Sequence, residues 1–559
     1  MPESRIEGQE IDPRNGFCSE TKIFYSLRPP VPLPPINKSM SVVDYTLSLL
    51  RSNSAVSTSN TPFLIDSVTD NRLTYSDFLD QVYSLSVSLR SQFPSLSKNY
   101  VAFVLLSTSL HVPVVYFSLL LLGITVSPAN PLSSTSELTH LLQLSKPVIA
   151  FTTSSLHGKL PTNSFPLGTI LVDSPQFLSM LSATGRNSIN PNRVINQNDS
   201  AAILYSSGTT GRIKGVELTH RNFIAVIAGL YHNKYINEAD SKAEEPNPAS
   251  LFTLPLFHVF GFFMLIRAAS MGETLVLMGR FDFVKMLEVI QKYKVAYMPV
   301  SPPLVVALAK SDLVSKYDLS SLRTLGCGGA PLGKEVSERF TKRFPHAEII
   351  QGYGMTETGG GATRMIGAEE SKRYGSAGRL AENLEAKIVD PDSKEAMPPG
   401  KRGELWLRGP MIMKGYVGDA QATAETLDPE GWLKTGDLCY FDSDGFLYVV
   451  DRLKELIKYK AYQVPPAELE HILMLIPDIA DAAVIPYPDE EAGQIPVAYV
   501  VRKQGSRIPD TQIMDFVAQQ VAPYKKIRRV VFINTIPKSP AGKILRRELI
   551  NHALASAKL

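Results

Sequence analysis

The stretch SSGTTGRIK, residues 206–214, follows the apolar run AAILY at 201–205 and precedes GVELTH at 215–220. The apolar run predicts a buried strand, whereas the small residues after it cannot pack a core. Glycine lets a backbone approach a ligand closely, and successive N–H groups form a nest for an anion. The stretch therefore suits phosphate oxygens, and the candidate contacts are Ser206, Ser207, Gly208, Thr209, Thr210, Gly211 and the cationic Lys214.

The spacing of this loop differs from that of a Walker A motif, GxxxxGK[ST]. Gly208 and Gly211 are three residues apart, and neither Ser nor Thr follows Lys214. Clusters of Gly, Ser and Thr also form flexible surface turns. The loop alone leaves both interpretations open, a phosphate site of another kind and a surface turn.

Composition indicates a multidomain globular protein. A chain of 559 residues is too long for one typical core. The net charge of +3 includes no basic block, which argues against nucleic acid as a partner. The cysteines Cys18, Cys327 and Cys439 lie far apart, so we expect neither a disulfide framework nor a zinc site, and a reducing compartment.

The two ends of the chain bear on its destination. The first residues, MPESRIEGQEIDPR, are charged and lack the apolar core of a secretory signal. The most hydrophobic run, 114–126, is too short to span a bilayer, so we expect a buried helix leading into a strand. The last three residues, Ala557, Lys558 and Leu559, differ conservatively from the Ser-Lys-Leu peroxisomal address. We expect recognition by a peroxisomal import receptor, with a chance basic ending as the alternative.

Strand-like and helix-like segments alternate through the first part of the chain. Ser134 and Glu137 form a capping box for a helix that ends near residue 145. Apolar strands with helices between them predict parallel sheets covered on both faces. The predicted strands lie at 101–106, 124–126 and 148–152. Residues 1–40 contain the run RPPVPLPP and are predicted to form an irregular strap.

Beyond about residue 395 the pattern changes. GELWLRG, GWLKTGD and GFLYVVDR alternate apolar and polar residues between Gly and Asp turns, which predicts an antiparallel meander. A helix at 466–475 and a compact α+β tail follow. The predicted class is α/β, with parallel αβ subdomains, a small β-rich subdomain and a C-terminal α+β domain. We place the domains at 1–451 and 452–559.

Further segments carry groups suited to nucleotide and carboxylate chemistry. QGYGMTE, 351–357, offers an aromatic ring for a base and oxygen atoms for phosphate and Mg²⁺. GCGGAP, 326–331, is poor in side chains, so a ligand ring can lie on its backbone. Asp437 can accept two hydroxyl hydrogen bonds from a ribose. PKSPAGK, 537–543, brings two lysines to a Pro/Gly loop.

Each of these segments also has a structural interpretation. A strand end, a tight turn or a solvated loop explains most of them without a ligand. A lone histidine in an apolar run, such as His258 in PLFHVFGFF, is usually a core residue. The motifs carry weight only as an ordered set.

As an ordered set, the motifs resemble those of the adenylate-forming superfamily of acyl-CoA synthetases and luciferases, most closely its plant 4-coumarate:CoA ligase-like branch. The matching segments are SSGTTGRIKGVELTH, QGYGMTE, GWLKTGD, DRLKELIKYK and PKSPAGKILRREL. The resemblance spans nearly the whole chain. It implies ATP, Mg²⁺ and coenzyme A as cofactors and a mobile C-terminal domain.

The resemblance implies a role for each matching residue. The 206–214 loop would hold the ATP β- and γ-phosphates, and Glu357 would meet Mg²⁺. Lys543 would bridge the acid carboxylate and the α-phosphate, with His258 as a further catalytic candidate and Lys454 as the hinge. The remaining nucleotide contacts would be Gly329, Ala330, Pro331, Gln351, Gly352, Tyr353, Thr356, Asp437 and Arg452. The CoA half-reaction would use Lys458, Lys460, Ala461 and Gln463.

Two departures from the family pattern concern the phosphate loop and the CoA path. Arg212 and Ile213 replace the usual Leu-Pro pair, but Lys214 is kept. Ala461 stands where glycine is common, which adds one methyl group to the pantetheine path. We expect both half-reactions to survive these changes.

A third departure concerns the acid pocket. Hydroxycinnamate ligases commonly carry a tyrosine and a lysine that can meet a phenolic hydroxyl, and the matching positions here are Phe260 and Gly326. A pocket without buried polar groups neither requires nor strongly rejects a hydroxyl. The residues predict an apolar, tolerant site with Phe263, Gly328 and Gly354 as further walls.

The preferred hypothesis is an ATP-dependent carboxylate–CoA ligase for an apolar or aromatic acid of the cinnamate or 4-coumarate type. A fatty acid or an oxylipin precursor destined for peroxisomal β-oxidation is the alternative substrate. A luciferase-like oxidoreductase is the alternative of another class. A non-catalytic acid-binding relative is disfavoured because Lys214, Glu357 and Lys543 are all retained.

Overall fold

The computed structural model describes residues 10–53, 60–98, 100–182, 194–206, 213–235, 249–330, 332–459, 462–539 and 542–556. The elements of the first part are β1 (Phe17–Cys18), β2 (Ile23–Tyr25), α1 (Val42–Ser52), β3 (Pro62–Asp66), β4 (Arg72–Thr74), α2 (Tyr75–Gln92), β5 (Val101–Leu105), α3 (His111–Leu122), β6 (Thr125–Pro128), α4 (Thr135–Ser145), β7 (Ile149–Thr152), α5 (Ser154–His157), β8 (Thr169–Leu171) and α6 (Pro175–Leu181).

The central elements are β9 (Ser200–Ser206), β10 (Lys214–Thr219), α7 (His220–Tyr235), β11 (Ala249–Phe252), α8 (Val259–Met271), β12 (Thr274–Leu277), α9 (Phe283–Tyr293), β13 (Val295–Val300), α10 (Pro302–Lys310), β14 (Thr324–Cys327), α11 (Lys334–Arg343), β15 (Glu348–Gly354), β16 (Gly361–Arg364) and α12 (Gly367–Ser371). Short 3₁₀ turns lie at Asp312–Lys316, Thr356–Thr358 and, later in the chain, Pro523–Lys525.

The remaining elements are β17 (Arg379–Leu380), β18 (Glu385–Val389), β19 (Gly403–Arg408), β20 (Gly415–Tyr416), α13 (Ala420–Thr426), β21 (Leu433–Phe441), β22 (Leu447–Arg452), β23 (Ile457–Tyr459), β24 (Tyr462–Val464), α14 (Pro466–Leu473), β25 (Ile479–Asp489), β26 (Gly493–Arg502), α15 (Asp510–Ala518), β27 (Arg529–Phe532) and α16 (Arg546–Ser556).

Two large sheets have parallel centres. A seven-stranded sheet has the order β20-β10-β9-β6-β5-β7-β8, and a nine-stranded sheet has the order β17-β16-β15-β14-β13-β11-β12-β3-β4. Antiparallel strands lie only at the edges of these two sheets. Ligands of open α/β sheets bind beyond the carboxyl ends of the strands. Strand β9 ends at Ser206, and β15 ends at Gly354 within QGYGMTE. The predicted α/β class is confirmed.

Local signals in the sequence explain the helices of this region. The Ser134 hydroxyl and the Glu137 carboxylate form the predicted reciprocal cap of α4. Residues 112–122 of α3 are all buried, as expected for a helix that is apolar on every side. Among the described residues, no helix is long and apolar enough to cross a membrane.

A six-stranded antiparallel sheet has the order β1-β2-β18-β19-β21-β22. The predicted meander is confirmed, although it begins earlier, at β18. The N-terminal prediction needs correction, because β1 and β2 pair with each other and β2 pairs with β18. Phe24 of β2 stacks on Phe441 of β21 with ring centroids 4.5 Å apart, and this burial holds the short strands in place.

The C-terminal segment forms a sheet of its own. Its order is β24-β23-β26-β25, and β27 pairs in parallel with β26. A separate apolar core lies between this sheet and the helices α14 and α15. The described pairing passes from the six-stranded sheet to this one between Arg452 and Ile457. The domain division at residue 452 stays a prediction.

The three cysteines are buried free thiols. Cys327 and Cys439 lie in β14 and β21 and are 4% and 0% exposed. Among the described residues there is also no group of three or more His, Cys, Asp or Glu side chains that could hold a metal by itself.

Candidate active site

Asp437 and Arg452 face each other on adjacent antiparallel strands, β21 and β22. Nε of Arg452 lies 3.3 Å from Oδ1 of Asp437. The Tyr353 hydroxyl, near the end of β15, donates to Oδ2 of Asp437 at 2.6 Å. Burial raises the pKa of the Asp437 carboxyl, and Arg452 opposes that shift. The structure thus brings three of the predicted nucleotide-binding residues into one contact group.

Lys543, from the C-terminal segment, lies beside this group. Burial lowers the pKa of its ammonium to about 8, and the positive charge of Arg452 acts in the same direction. Glu455 and Asp437 act against that shift, since a nearby anion favours the charged lysine. The ammonium is therefore close enough to Asp437 and Arg452 for each charge to affect the others.

The loop that carries Lys543 packs against the N-terminal region. Lys538 and Ile544 close this loop through an isolated β-bridge. Gly542 has a φ of +79°, a conformation that favours glycine. A Cβ atom at Gly542 would lie 3.2 Å from Oγ of Ser301, which precedes α10. The backbone next to Lys543 therefore lies against the start of α10.

Glu357 is a buried carboxylate that contacts Ser206, the first residue of the predicted phosphate loop. The hydroxyls of Ser206 and Tyr416 donate to its Oε1 at 3.1 Å and 2.9 Å. Nζ of Lys214 lies 4.4 Å from the centroid of the Tyr416 ring. Mg²⁺ in nucleotide sites is usually bound by one or two carboxylates together with phosphate oxygens. A single carboxylate held by two hydroxyl groups fits an ion of this kind.

Backbone crowding explains two glycines of the predicted site. A Cβ at Gly352 would lie 2.9 Å from the carbonyl oxygen of Thr363, and one at Gly354 would collide with the carbonyl of Gly360. At these two glycine positions the QGYGMTE segment therefore runs against the 360–364 backbone with no room for a side chain. Gln351 and Thr356 are buried within it, while Gly329 and Ala330, after β14, are exposed and half-buried.

Several predicted site residues fall outside the described part of the chain. These are Ser207, Gly208, Thr209, Thr210, Gly211, Pro331, Lys460, Ala461 and the terminal Ala557, Lys558 and Leu559. Arg212 also lies outside it. Their predicted roles stay predictions.

The predicted acid-pocket residues converge between α8 and the sheet. Phe260 and Phe263 stack with centroids 5.7 Å apart. A Cβ at Gly328 would lie 3.5 Å from Cε1 of Phe260 and 3.7 Å from the carbonyl oxygen of Gly352. The ring of Phe260 therefore borders Gly328, the residue that follows β14 and leads to the predicted adenine site.

His258 is the residue that caps the N-terminus of α8. Its Nδ1 accepts from the Phe260 backbone N–H at 3.4 Å. Burial lowers the pKa of the imidazole, and the charge of Lys543 lowers it further. The side chain is half-buried rather than enclosed in a core. His258 thus lies where the acid pocket and Lys543 meet.

The residues predicted for the CoA half-reaction lie on the β23–β24 hairpin. Lys458 and Gln463 are opposite each other in this hairpin. Lys458 has an exposed side chain, and its backbone N–H donates to Gln494 at 2.8 Å. Lys454 is exposed between β22 and β23. The hairpin pairs with β26 of the C-terminal sheet, and the ring of Tyr462 stacks on that of Tyr524 in the same region.

Sequence reasoning missed two residues of this region, Tyr416 and Tyr297. Tyr416 lies on β20, which pairs with β10 although the two strands are more than 190 residues apart in the sequence. This pairing brings Tyr416 to Glu357. Tyr297 lies on β13, and its hydroxyl occupies the space that a side chain at Gly326 would need. No local pattern marks either tyrosine, since both depend on strand pairing.

Comparison with known protein families agrees with the geometry of this candidate active site. The model of the AMP-binding enzyme family matches residues 52–417, and the model of the AMP-binding enzyme C-terminal domain matches residues 468–543. The chain belongs to the AMP-binding, adenylate-forming family of enzymes. Within that family it is similar to the plant 4-coumarate–CoA ligase-like proteins.

Two relatives from Arabidopsis thaliana illustrate the range. 4-coumarate–CoA ligase-like 9 is 58% identical over 550 residues, which cover 97% of each chain. Peroxisomal OPC-8:0-CoA ligase 1 is 42% identical over 98% of this chain and 100% of its own.

Solved structures show the same fold. ATP-bound MatB from Rhodopseudomonas palustris superimposes with a TM-score of 0.81 at 22% identity and covers 92% of this chain and 99% of its own. O-succinylbenzoate–CoA synthetase from Bacillus subtilis, in complex with ATP and magnesium, gives 0.76 at 25% identity, with coverage of 92% and 100%.

Proposed function

We propose that the protein is an ATP-dependent carboxylate–CoA ligase that activates an apolar or aromatic acid as an acyl adenylate, releases pyrophosphate and transfers the acyl group to CoA. The observation that carries the proposal is the position of Lys543 beside Asp437 and Arg452. Family membership and the CoA ligases among the relatives support the same reaction class.

The charge distribution suits the first half-reaction. A carboxylate that attacks the α-phosphorus is an anion approaching an anion, so cations and positioning must offset the repulsion. Lys543 supplies a cation between the acid pocket, marked by His258, and the nucleotide group. Asp437 accepts the ribose hydroxyls, and Arg452 holds that carboxylate in place. Tyr353 fixes the other carboxylate oxygen and offers its ring to adenine.

Glu357 would hold the magnesium ion that accompanies ATP. Bound there, the ion would neutralise phosphate charge and orient the pyrophosphate leaving group. Ser206 and Tyr416 hold Glu357 by hydrogen bonds, so the carboxylate is oriented before the nucleotide arrives.

In the second half-reaction, the acyl adenylate is already activated, and the CoA thiol needs access and alignment. Lys543 must then withdraw, which a rotation of residues 452–559 about Lys454 would achieve. That rotation would bring Lys458 and Gln463 of the β23–β24 hairpin to the nucleotide in place of Lys543.

An acid-dependent pyrophosphate assay tests this function. With a panel of cinnamic, coumaric, oxylipin-type and C6–C12 acids, we expect pyrophosphate release and a CoA thioester. Lys543→Ala should slow pyrophosphate release by about 10²–10³-fold, by analogy with an oxyanion-hole donor. It should spare thioester formation from a supplied acyl adenylate. Absence of pyrophosphate with every acid would refute the proposal, and oxygen-dependent product without thioester would favour a luciferase-like reaction.

For the acid itself, two candidates remain. The apolar walls of Phe260 and Phe263 suit cinnamate-type acids. The 42% identical peroxisomal OPC-8:0-CoA ligase favours a fatty or oxylipin acid as the second candidate. Parallel kcat/KM values across the panel decide between them.

We propose the peroxisome as the location, because the chain ends in Ala-Lys-Leu and one relative is peroxisomal. A fluorescent protein fused to the N-terminus should enter peroxisomes, and deletion of residues 557–559 should send it to the cytosol with catalytic activity unchanged. Import of the shortened protein would show that these residues are not the address.

A further inference from the structure

One face of α8 carries the phenylalanines of the predicted acid pocket. Phe260, Phe263 and Arg267 recur at positions i, i+3 and i+7, which lie on one side of a helix. Phe260 borders Gly328, and Phe263 stacks on Phe260. The guanidinium of Arg267 lies 4.7 Å from the ring centroid of Tyr297. This face of α8 therefore changes from apolar at Phe260 and Phe263 to polar at Arg267, which covers Tyr297.

The Tyr297 hydroxyl lies directly above the backbone of Gly326. Strand β13 pairs with β14 so that Pro299 is opposite Gly326, and Tyr297 is one pleat earlier on the same face. A Cβ atom at Gly326 would collide with this hydroxyl and lie 3.0 Å from the ring carbon that bears it. The phenol thus fills the position from which, in hydroxycinnamate ligases, a lysine side chain would extend.

Buried charges hold Tyr297 in this position. Nη1 of Arg267 pairs with Glu273 at 2.8 Å, and Lys234 pairs with the same carboxylate at 3.2 Å. Ser250 also donates to Glu273, which is 2% exposed. Because Arg267 is fixed by this network, the ring it covers is fixed as well.

The Tyr297 hydroxyl is available to a ligand. Within the described ranges, no residue forms a hydrogen bond with it, although its ring is only partly exposed. Burial raises the pKa of this phenol to about 12, so it is a neutral hydrogen-bond donor at physiological pH. A donor aimed at an otherwise apolar pocket discriminates between acids.

We propose that Tyr297 is a specificity-determining residue, which selects acids that carry a hydrogen-bond acceptor, such as a keto or hydroxyl oxygen, at the end remote from the carboxylate. The inference rests on the proposed ligase function and names the substrate class of the same site. It replaces the fully apolar pocket expected from the sequence. Tyr297 would act through substrate binding and take no part in the bond-making step.

Matched pairs of acids test the proposal: 4-coumarate against cinnamate, and an oxo-fatty acid against the saturated acid of equal length. In at least one pair, the unmodified protein should prefer the oxygenated acid in kcat/KM by about tenfold or more, the value of one hydrogen bond in a buried site. Tyr297→Phe should remove that preference by lowering kcat/KM for the oxygenated acid, and should change the plain acid by less than about threefold. Equal losses for both acids, or no preference in either pair, would overturn the proposal.

Gly326→Ala provides an independent variant. The added methyl group must displace the Tyr297 hydroxyl, so the same preference should be lost. In the Tyr297→Phe background, Gly326→Ala should have a smaller effect on this preference, because the hydroxyl that collides with the methyl group is gone and only the ring carbon at 3.0 Å must shift. Independent effects of the two substitutions would contradict the inference.

Controls separate this inference from the proposed function. Tyr293→Phe removes an exposed hydroxyl that contacts Asp70 and should leave acid preference unchanged. Pyrophosphate release with any acid shows that adenylation occurs, whatever the preference is. Failure of the ligase function would abolish pyrophosphate release, whereas failure of the inference would leave it intact with unaltered selectivity.

Discussion

At the scale of single residues, Lys543 is the most informative side chain. Its ammonium is partly buried and lies beside Arg452. Burial and the positive charge of Arg452 both favour the neutral amine. An incoming triphosphate would reverse that balance by supplying negative charge. If Lys543 has the proposed role, the protein holds this cation in an unfavourable environment until the substrate arrives, which concentrates the electrostatic gain in the ternary complex.

This environment predicts a pH dependence. The pKa of Lys543 is lowered to about 8, so the charged form that adenylation needs is lost as the pH rises through that value. For the free enzyme, kcat/KM for pyrophosphate release should fall about tenfold per pH unit above pH 8. Rates of pyrophosphate release at pH 7 to 10, with saturating magnesium, would measure this fall. An active Lys543→Arg variant should not show this fall between pH 8 and 10. An unchanged fall in that variant would show that another group causes it.

At the scale of elements, α16 connects the Lys543 loop to the hinge. Arg546, its first residue, donates two hydrogen bonds from Nη2 to Glu470 of α14, at 2.8 Å and 2.7 Å. Its Nη1 pairs at 3.0 Å with Glu455, which lies beside the predicted hinge residue Lys454. One guanidinium thus links the helix that follows Lys543, the body of the C-terminal domain and the hinge.

We expect Arg546→Gln to slow adenylation by about 10-fold to 100-fold, because the Lys543 loop loses its support. Thioester formation from supplied acyl adenylate should change less. Pyrophosphate release and thioester formation, measured separately, would show the difference.

Lys525→Gln is the matched control, since it removes another ion pair of the C-terminal domain, with Glu468, without contact to Glu455. Thermal unfolding of both variants would reveal any general destabilisation. Equal slowing of the two half-reactions by Arg546→Gln would argue against a specific link to Lys543.

At the scale of the whole molecule, the C-terminal segment contacts the N-terminal region at two places. Gly542 packs against Ser301, and the ring of His471 lies within 3.6 Å of the position of a Cβ atom at Gly333. These contacts accompany the approach of Lys543 to Asp437. Under the proposed function, this arrangement would be the one for adenylation, with the β23–β24 hairpin paired into the C-terminal sheet.

A disulfide between Ser301→Cys and Gly542→Cys should lock this arrangement. The two positions are close enough for a bond, and the native cysteines are buried. The oxidised variant should form acyl adenylate in a single turnover and should form little thioester. Reduction should restore transfer to CoA.

The single variants Ser301→Cys and Gly542→Cys serve as controls. The second one tests for strain at Gly542, where φ is +79°. Normal thioester formation by the oxidised, fully cross-linked protein would show that no rotation about the hinge is needed.

The sequence predicted the elements with strong local signals. The Ser134–Glu137 box defines α4, and a helix expected at 466–475 is observed at Pro466–Leu473. It also predicted Asp437, Arg452 and Tyr353 as site residues, although not their mutual contacts. Strands β1 and β2 were missed because two or three residues show no periodicity. Tyr297 was missed because only the pairing of β13 with β14 places it above Gly326.

The pairing of β2 with β18 makes the start of the chain part of the sheet that carries Asp437. Phe24 rests on Phe441, four residues beyond that carboxylate in the same strand. A shortened protein that lacks residues 17–25 would therefore lose an edge of this sheet. Annotators and protein engineers who trim this end should expect weaker nucleotide affinity, even though every signature motif remains.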